Sequence, residues 1–424
     1  MKAALPWRDE SGLVRHGSLM MVGTAFGALC NVGFHMVVGG RRGLPNAEYG
    51  SLVAMLGIIL AASTPMLALQ NTLAHFASNL AREGRRDGIL PLFLHWTRVF
   101  GAISAALVAA AWAFRAPLAG IWSVSPSLIV LTFAVLAASL WMSLFYGLLQ
   151  GMQSFAWLAW APQAWGATRL VLGAVFTFFL SATAFAAVAA QGLGVLAVLV
   201  LCLWAVAGLG LPRHSSAAGG PRETYRYLGS SLVCLAGYAM LMNLDTALAK
   251  HYFDAETTGL FAKAATIART AVFLPVPVAV VLFPKVTSAG ELTEDSWRLL
   301  GRAMGFAGLL IAAVAGICVF FPQLPWTILY GAWPPEAAAS AAALTRAMVL
   351  AMAPLALAYL LLNFEMAQRR FFWCYGLVPC GLAYVAGVAR FHAHPLQVAM
   401  VLGTLNLAAA VLLAAGIVSR RRHG

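Results

Sequence analysis

Apolar stretches long enough to cross a lipid bilayer follow one another along the whole chain, separated by short polar breaks. A transmembrane helix needs about 20 mostly apolar residues. Twelve runs meet that length, approximately 16–38, 50–72, 93–114, 127–149, 155–180 and 184–211, then 228–250, 257–283, 299–321, 337–362, 371–390 and 396–418. The breaks carry glycine and proline, which stop helices, as in Gly39-Gly40-Arg41-Arg42-Gly43-Leu44-Pro45-Asn46 and Ala332-Trp333-Pro334-Pro335-Glu336. The most linker-like break runs from Pro212 to Thr224 and divides the chain into halves 1–213 and 214–424, with six runs each. The pattern predicts an all-α polytopic membrane protein with 12 transmembrane helices in two six-helix lobes.

Composition excludes the other broad classes. With 62% hydrophobic and 10% charged residues over 424 positions, and a mean hydropathy of +0.83, the chain is too apolar for a water-soluble globule or a disordered tail. Its formal net charge of +13 changes meaning once it is sorted by membrane side. Lys2, Arg8, Arg15, Arg82, Arg85, Arg86, Arg98, Arg213, Arg222, Arg226, Lys285, Arg298, Arg302, Arg369, Arg370 and Arg420 to Arg422 fall on the side of the N-terminus. Only Arg41, Arg42, Arg115, Lys250 and Arg390 fall on the other. Basic loops stay in the cytoplasm, so both termini are expected there. The first run follows a basic start without a small-residue cleavage site and is expected to remain as a helix. The tail Arg420-Arg421-Arg422 reads as attraction to anionic membrane lipids, with no need for nucleic acid. Six cysteines lie within apolar runs without a CxxC pair, as small packing residues would. Trp96, Trp112, Trp122, Trp297, Trp326 and Trp373 fall near run ends, where an interfacial belt is expected.

The halves echo each other. Asn46-Ala47-Glu48-Tyr49-Gly50-Ser51-Leu52 follows the first run, and Asp254-Ala255-Glu256-Thr257-Thr258-Gly259-Leu260-Phe261 follows the seventh. Six spans per half preserve orientation, so the repeat is parallel, with its axis along the membrane normal. These segments, with Leu69-Gln70-Asn71-Thr72-Leu73, Ala81-Arg82-Glu83-Gly84, Met242-Asn243-Leu244-Asp245-Thr246-Ala247-Leu248 and Leu282-Phe283-Pro284-Lys285-Val286, carry a resemblance. The pattern resembles the polysaccharide-biosynthesis flippases, the lipid-linked oligosaccharide branch of the multidrug/oligosaccharidyl-lipid/polysaccharide exporter superfamily. The resemblance implies a MATE-like fold, two six-helix bundles in a V around a central cavity that opens alternately to each side.

Intramembrane charges are the candidate chemistry. Arg169, Lys263, Arg269 and Arg346 fall inside runs, with Asp245 as the one clearly intramembrane acid. Each charge at a helix centre costs about 2.5–3.5 kcal/mol, so these cations are expected to face a wet cavity or to pair. At ~1.5 Å per residue, Arg269 and Arg346 lie ~14–18 Å from the outer ends of their runs, and Arg169 ~20 Å from an inner end. Guanidinium forks bind phosphate oxygens bidentately and keep their charge. Arg169, Arg269 and Arg346 are therefore candidate contacts for a lipid pyrophosphate headgroup; the competing reading has each capping carbonyls of a neighbouring helix. Lys263 lies six residues from Arg269, about 120° around one helix, so the two point apart. An Asp245–Lys263 ion pair is the plainer reading of that acid, and a proton- or cation-coupling site the functional one. Gln70 and Asn71 are candidate cytoplasmic gate residues, unless they serve helix contacts.

His35, His95 and His251 stand alone near run ends, and no metal or cofactor motif appears. Pro162, Pro275, Pro277 and Pro354 are expected to kink their helices. Together these features point to a bacterial inner-membrane transporter, not an enzyme. Its expected cargo is a polyprenyl-pyrophosphate-linked oligosaccharide or polysaccharide precursor, and a glycan polymerase or export machinery is a candidate partner. A multidrug or small-molecule antiporter of the same fold is the first alternative. A membrane-embedded glycan polymerase or ligase is the second, though the longest outer loop, around Pro322 to Pro335, carries no acid/base pair.

Overall fold

A computed structural model describes residues 10–212, 221–273, 294–368 and 370–421. The loop centred on Ser215, Pro275, Pro277, the Leu282-to-Val286 motif, Lys2, Arg8, Arg213, Lys285, Arg369 and Arg422 lie outside the described residues. Helix α1 (Glu10–Gly39) runs from the near side, where residue 10 lies, to the far side. A turn closed by Leu44 N–H on the Val38 carbonyl (2.7 Å) sends the chain back through α2 (Asn46–Ser63) and α3 (Leu67–Arg82). A 3-10 turn around Pro65 joins those two, since proline has no N–H for the helical ladder. Next come α4 (Ile89–Ala113), the short α5 (Arg115–Trp122) on the far side, α6 (Pro126–Gly151), α7 (Phe155–Val175) and α8 (Ala184–Ala207). Caps mark the far-side starts: Ser125 Oγ accepts from Leu128 N–H and Thr183 Oγ1 from Ala186 N–H, both at 3.3 Å.

The second half follows the same order. Helices α9 (Pro221–Asn243) and α10 (Asp245–Tyr252) meet at a 51° bend, and α11 (Ala255–Phe273) turns back toward the near side. After them come α12 (Glu294–Phe320), the short far-side α13 (Gln323–Tyr330), α14 (Ala338–Ala367), α15 (Leu377–Arg390) and α16 (Pro395–Arg421). A short helix thus follows the third long element of each half, α5 in one and α13 in the other. Among the described residues nine helices are long and apolar enough to cross a membrane, or ten if the bent pair counts as one span. Two of the twelve expected runs fall outside that number. The run 257–283 continues beyond the described residues, and 371–390 shortens to a helix of Cys374–Arg390 because Phe371 to Trp373 lie before it in a turn. The architecture is that of a multi-pass, all-helical membrane protein.

Helix α2 holds the centre. Its residues Tyr49 to Gly57 are buried, against α6 and α8 of its own half and α9, α10 and α11 of the other. Helices α7 and α14 run continuously through Pro162 and Pro354. Trp96 and Trp326 do not join an interfacial belt: both are buried, and the Trp326 indole N–H donates to Thr345 Oγ1 (2.7 Å). Trp112 is exposed, as such a belt requires.

Small residues set the helix spacing, because helices in lipid gain little from hiding apolar surface. At Gly151 of α6, an added Cβ would stand 2.7 Å from Ala77 Cβ and 2.8 Å from the Ala74 carbonyl of α3. The same contact seats Gln70, whose Nε2 donates to Gln150 Oε1 (3.0 Å). Gly151→Leu is therefore expected to destabilise the first half by about 1–3 kcal/mol. A lower thermal midpoint of the detergent-solubilised protein, against an unchanged midpoint for exposed Leu203→Ala, checks this.

Candidate functional site between the two halves

Asp245 opens α10 at the bend and is fully buried. A carboxylate there faces the positive end of the short helix. Its Oδ1 accepts from the Thr246 backbone N–H (2.7 Å) and from the Thr246 hydroxyl (3.3 Å). The same oxygen accepts from Nη2 of Arg269 on α11, forming a salt bridge in which the arginine side chain is 12% exposed and the aspartate not at all. The partner of Asp245 is thus Arg269 and not Lys263. The reason is helix rotation: the two basic residues point about 120° apart, and the face turned to α10 carries Arg269. Lys263 faces aromatic rings instead, its Nζ 5.2 Å from the centre of Tyr330 and 5.8 Å from that of Tyr49.

Arg169 is buried in the first half, at 2% exposure. Its Nη1 donates to Gln191 Oε1 (2.9 Å), and its guanidinium lies 4.0 Å from the centre of the Phe34 ring and 4.6 Å from that of Trp165. Its Nη2 is 3.5 Å from His35 Nε2. Guanidinium nitrogens only donate, so Nε2 accepts and Nδ1 carries the hydrogen toward the Tyr49 oxygen at 3.0 Å. From Tyr49 the chain of contacts crosses into the second half. Its hydroxyl donates to Thr266 Oγ1 (3.4 Å) and lies 3.3 Å from that of Tyr330, which donates to the Lys263 carbonyl (3.1 Å). Thr266 sits one helical turn before Arg269 on α11. The hydrogen-bonded network that starts at Arg169 therefore crosses into the second half and ends at Thr266, Tyr330 and the Lys263 carbonyl, one helical turn from the Asp245–Arg269 pair.

The far side around this network is closed. Asn46 Nδ2 donates to Glu256 Oε2 (2.9 Å). A Cβ on Gly259 would stand 2.3 Å from the Asn46 carbonyl, so the starts of α2 and α11 meet backbone to backbone. Trp122 Nε1 donates to the Ala247 carbonyl (3.1 Å), and His251 Nδ1 to the Ile121 carbonyl (2.7 Å). Asp254, in the loop before α11, accepts from the Thr257 hydroxyl and from the Thr257 N–H (3.0 Å), and these bonds hold its carboxyl below the usual range.

Other expected site residues lie elsewhere. Arg346 is exposed and donates from Nε to the Val319 carbonyl (2.9 Å) in the last turn of α12, capping that helix away from the network. Gln70 bonds within the first half, not across a gate, and Asn71 is half-buried on α3. The histidines read as solitary all have partners: His35 and His251 as above, and His95 with the Tyr225 hydroxyl across the halves (2.8 Å). The cysteines are free thiols, and no three His, Cys, Asp or Glu side chains gather as a metal site among the described residues. Sequence reasoning missed Tyr49, Gln191, Glu256 and Tyr330. Tyr49 and Glu256 stand in the two echoing segments, and Gln191 is a polar interruption of an apolar run, so those three left a signal.

No family model and no curated protein matches the chain. Solved structures do, by fold. A multidrug resistance MATE family transporter of the MOP superfamily in an inward-facing conformation aligns at a TM-score of 0.74 and 12% identity, over 93% of this chain and 94% of that one. An outward-facing conformation of a MATE family transporter aligns at 0.66 and 15% identity, over 96% and 94%. The lipid II flippase MurJ in an inward closed conformation aligns at 0.74 and 12% identity, over 94% and 87%. The chain has the fold of these MOP superfamily proteins, which are transporters and flippases, not enzymes.

Two measurements check this geometry. Breaking a buried pair by removing one partner costs about 3–5 kcal/mol, whereas replacing both by apolar groups costs far less. Asp245→Leu is expected to lose more stability than Asp245→Leu with Arg269→Met, and equal losses would contradict the pairing. Cysteines placed at Asn46 and Glu256, in a background without the native thiols, are expected to cross-link with a short thiol reagent and to stop transport reversibly.

Proposed function

We propose that the chain is a bacterial inner-membrane flippase moving a polyprenyl-pyrophosphate-linked oligosaccharide or polysaccharide precursor between leaflets by alternating access. The observation that carries this reading is the polar network that runs from buried Arg169 across to Thr266 and Tyr330 of the other half, one helical turn from Arg269, under a closed far side. An anionic headgroup needs fixed cations as it leaves water, and guanidinium supplies them without dependence on local pH. The higher TM-score against the inward-facing MATE structure than against the outward-facing one supports a far side that is shut to the outside. A flippase of a lipid-linked precursor among the structures of like fold supports the substrate class. In this reading twelve spans form two lobes, 1–213 and 214–424, with both termini cytoplasmic, and the far side is extracytoplasmic. A glycan polymerase or export machinery on that side would receive the product.

Arg269 is the leading headgroup contact, being partly exposed where Arg169 is buried. Arg169 is enclosed by Gln191, His35 and two aromatic rings, and meets the headgroup only when the far-side contacts part. Arg346 contributes least, since its guanidinium already serves the end of α12. Export of cationic drugs fits poorly, because the buried acid Asp245 is neutralised by Arg269.

The test is translocation of a fluorescent polyprenyl-pyrophosphate oligosaccharide in proteoliposomes. Loss of a transition-state charge contact costs about tenfold or more in rate. Arg269→Gln is expected to fall by at least that factor, and Arg346→Gln to stay near the parent rate. Full transport by the Arg169→Gln, Arg269→Gln double variant at normal protein levels would sink the proposal.

A further inference from the structure

The Asp245–Arg269 pair is a single-point contact. Nη2 of the guanidinium meets Oδ1 of the carboxylate, while Arg269 Nε and Asp245 Oδ2 are both buried without a hydrogen-bond partner. A bidentate fork would satisfy both atoms and bind more strongly. The two partners are also held unequally. Asp245 is fixed by two bonds from Thr246 at the start of α10 and has no exposed surface. Arg269 is the exposed member, on a long stem, beside the contact between halves.

Resting on the flippase reading above, we propose that Asp245 is a built-in competitor for the substrate headgroup and sets a charge threshold for it. Asp245 occupies Arg269 until a ligand offers more. Two neighbouring phosphate oxygens engage Nε and a terminal nitrogen of Arg269 together, which Asp245 does not. The guanidinium then swings to the ligand and the carboxylate stays with Thr246. Releasing a buried carboxylate is costly, so a headgroup of low charge gains too little to displace it, whereas a pyrophosphate gains enough. Asp245 is on this account a positioning residue: it withholds Arg269 from headgroups too weak to displace it and lowers the affinity of those that do.

The experiment uses the full-length protein in phosphatidylcholine nanodiscs, with geranylgeranyl pyrophosphate and geranylgeranyl monophosphate as probes. The parent protein is expected to prefer the pyrophosphate by about tenfold or more, within the usual range of coupling between charged sites. Asp245→Asn should bind the pyrophosphate probe about tenfold more tightly or better, and the monophosphate by no larger a factor, so that the preference is kept or widened. Asp245→Asn binding no more tightly, while Arg269→Gln weakens the pyrophosphate, would overturn the competition and leave the flippase reading standing. Arg269→Gln with undiminished affinity would overturn the headgroup site itself. A measurement on the parent protein guards against a variant that fails to fold. Infrared difference spectra with carboxyl-labelled aspartate should show a carboxylate band shifting when the pyrophosphate probe, but not the monophosphate, is added. An identical spectrum with both probes would also overturn the threshold.

Discussion

A charge placed among lipid-spanning helices has to be answered by another group, and the arrangement between the two halves follows from that requirement. Asp245 cannot sit in a straight, fully bonded apolar helix without an answering cation. The bend between α9 and α10 makes it the first residue of a new helix, where backbone and hydroxyl donors of Thr246 hold it. Arg269 completes the neutralisation from α11. Arg169 is answered differently, by an amide oxygen, a histidine nitrogen and two ring faces, none of them charged acids. One arginine is thus neutralised and the other only solvated by neutral groups.

Helix α2 turns these local solutions into a connection between halves. It belongs to the first half by sequence yet is enclosed largely by α9, α10 and α11 of the second. Its start carries Tyr49, which touches His35 on one side and Thr266 and Tyr330 on the other. The close approach of Asn46 to Gly259 allows those hydroxyls to meet at all, because a larger residue at 259 would hold the two helix starts apart. Any opening of the far side has to separate this polar network and the helix contact together.

Much of the fold was legible in the chain. Hydropathy placed most of the long helices to within a few residues, although the run 50–72 continues through α3 to Arg82, and the echo between Asn46–Leu52 and Asp254–Phe261 marked the two helix starts that meet on the far side. The isolated acid Asp245 was recognisable as a residue needing a partner. Which partner it takes depends on how α11 is rotated against the bent α10, and neither spacing nor depth along a straight helix contains that angle. The same limit explains Gln70, whose bond to Gln150 depends on the glycine-mediated approach of α3 to α6. It also explains Trp96 and Trp326, which lie near run ends in sequence but are covered by neighbouring helices in space. The arginines were visible as a set, but only packing separated buried Arg169 and acid-paired Arg269 from Arg346, which ends on a carbonyl of α12.

Two of the far-side contacts have acceptors that no substitution removes. Trp122 and His251 reach the main-chain oxygens of Ala247 and Ile121, so the contact is indifferent to the side chains at 247 and 121. These two hydrogen bonds place no demand on the side chains at 121 and 247, so they would leave few correlated changes between the helices they join. Contact maps inferred from covariation would underweight this clasp relative to side-chain pairs such as Asn46 with Glu256.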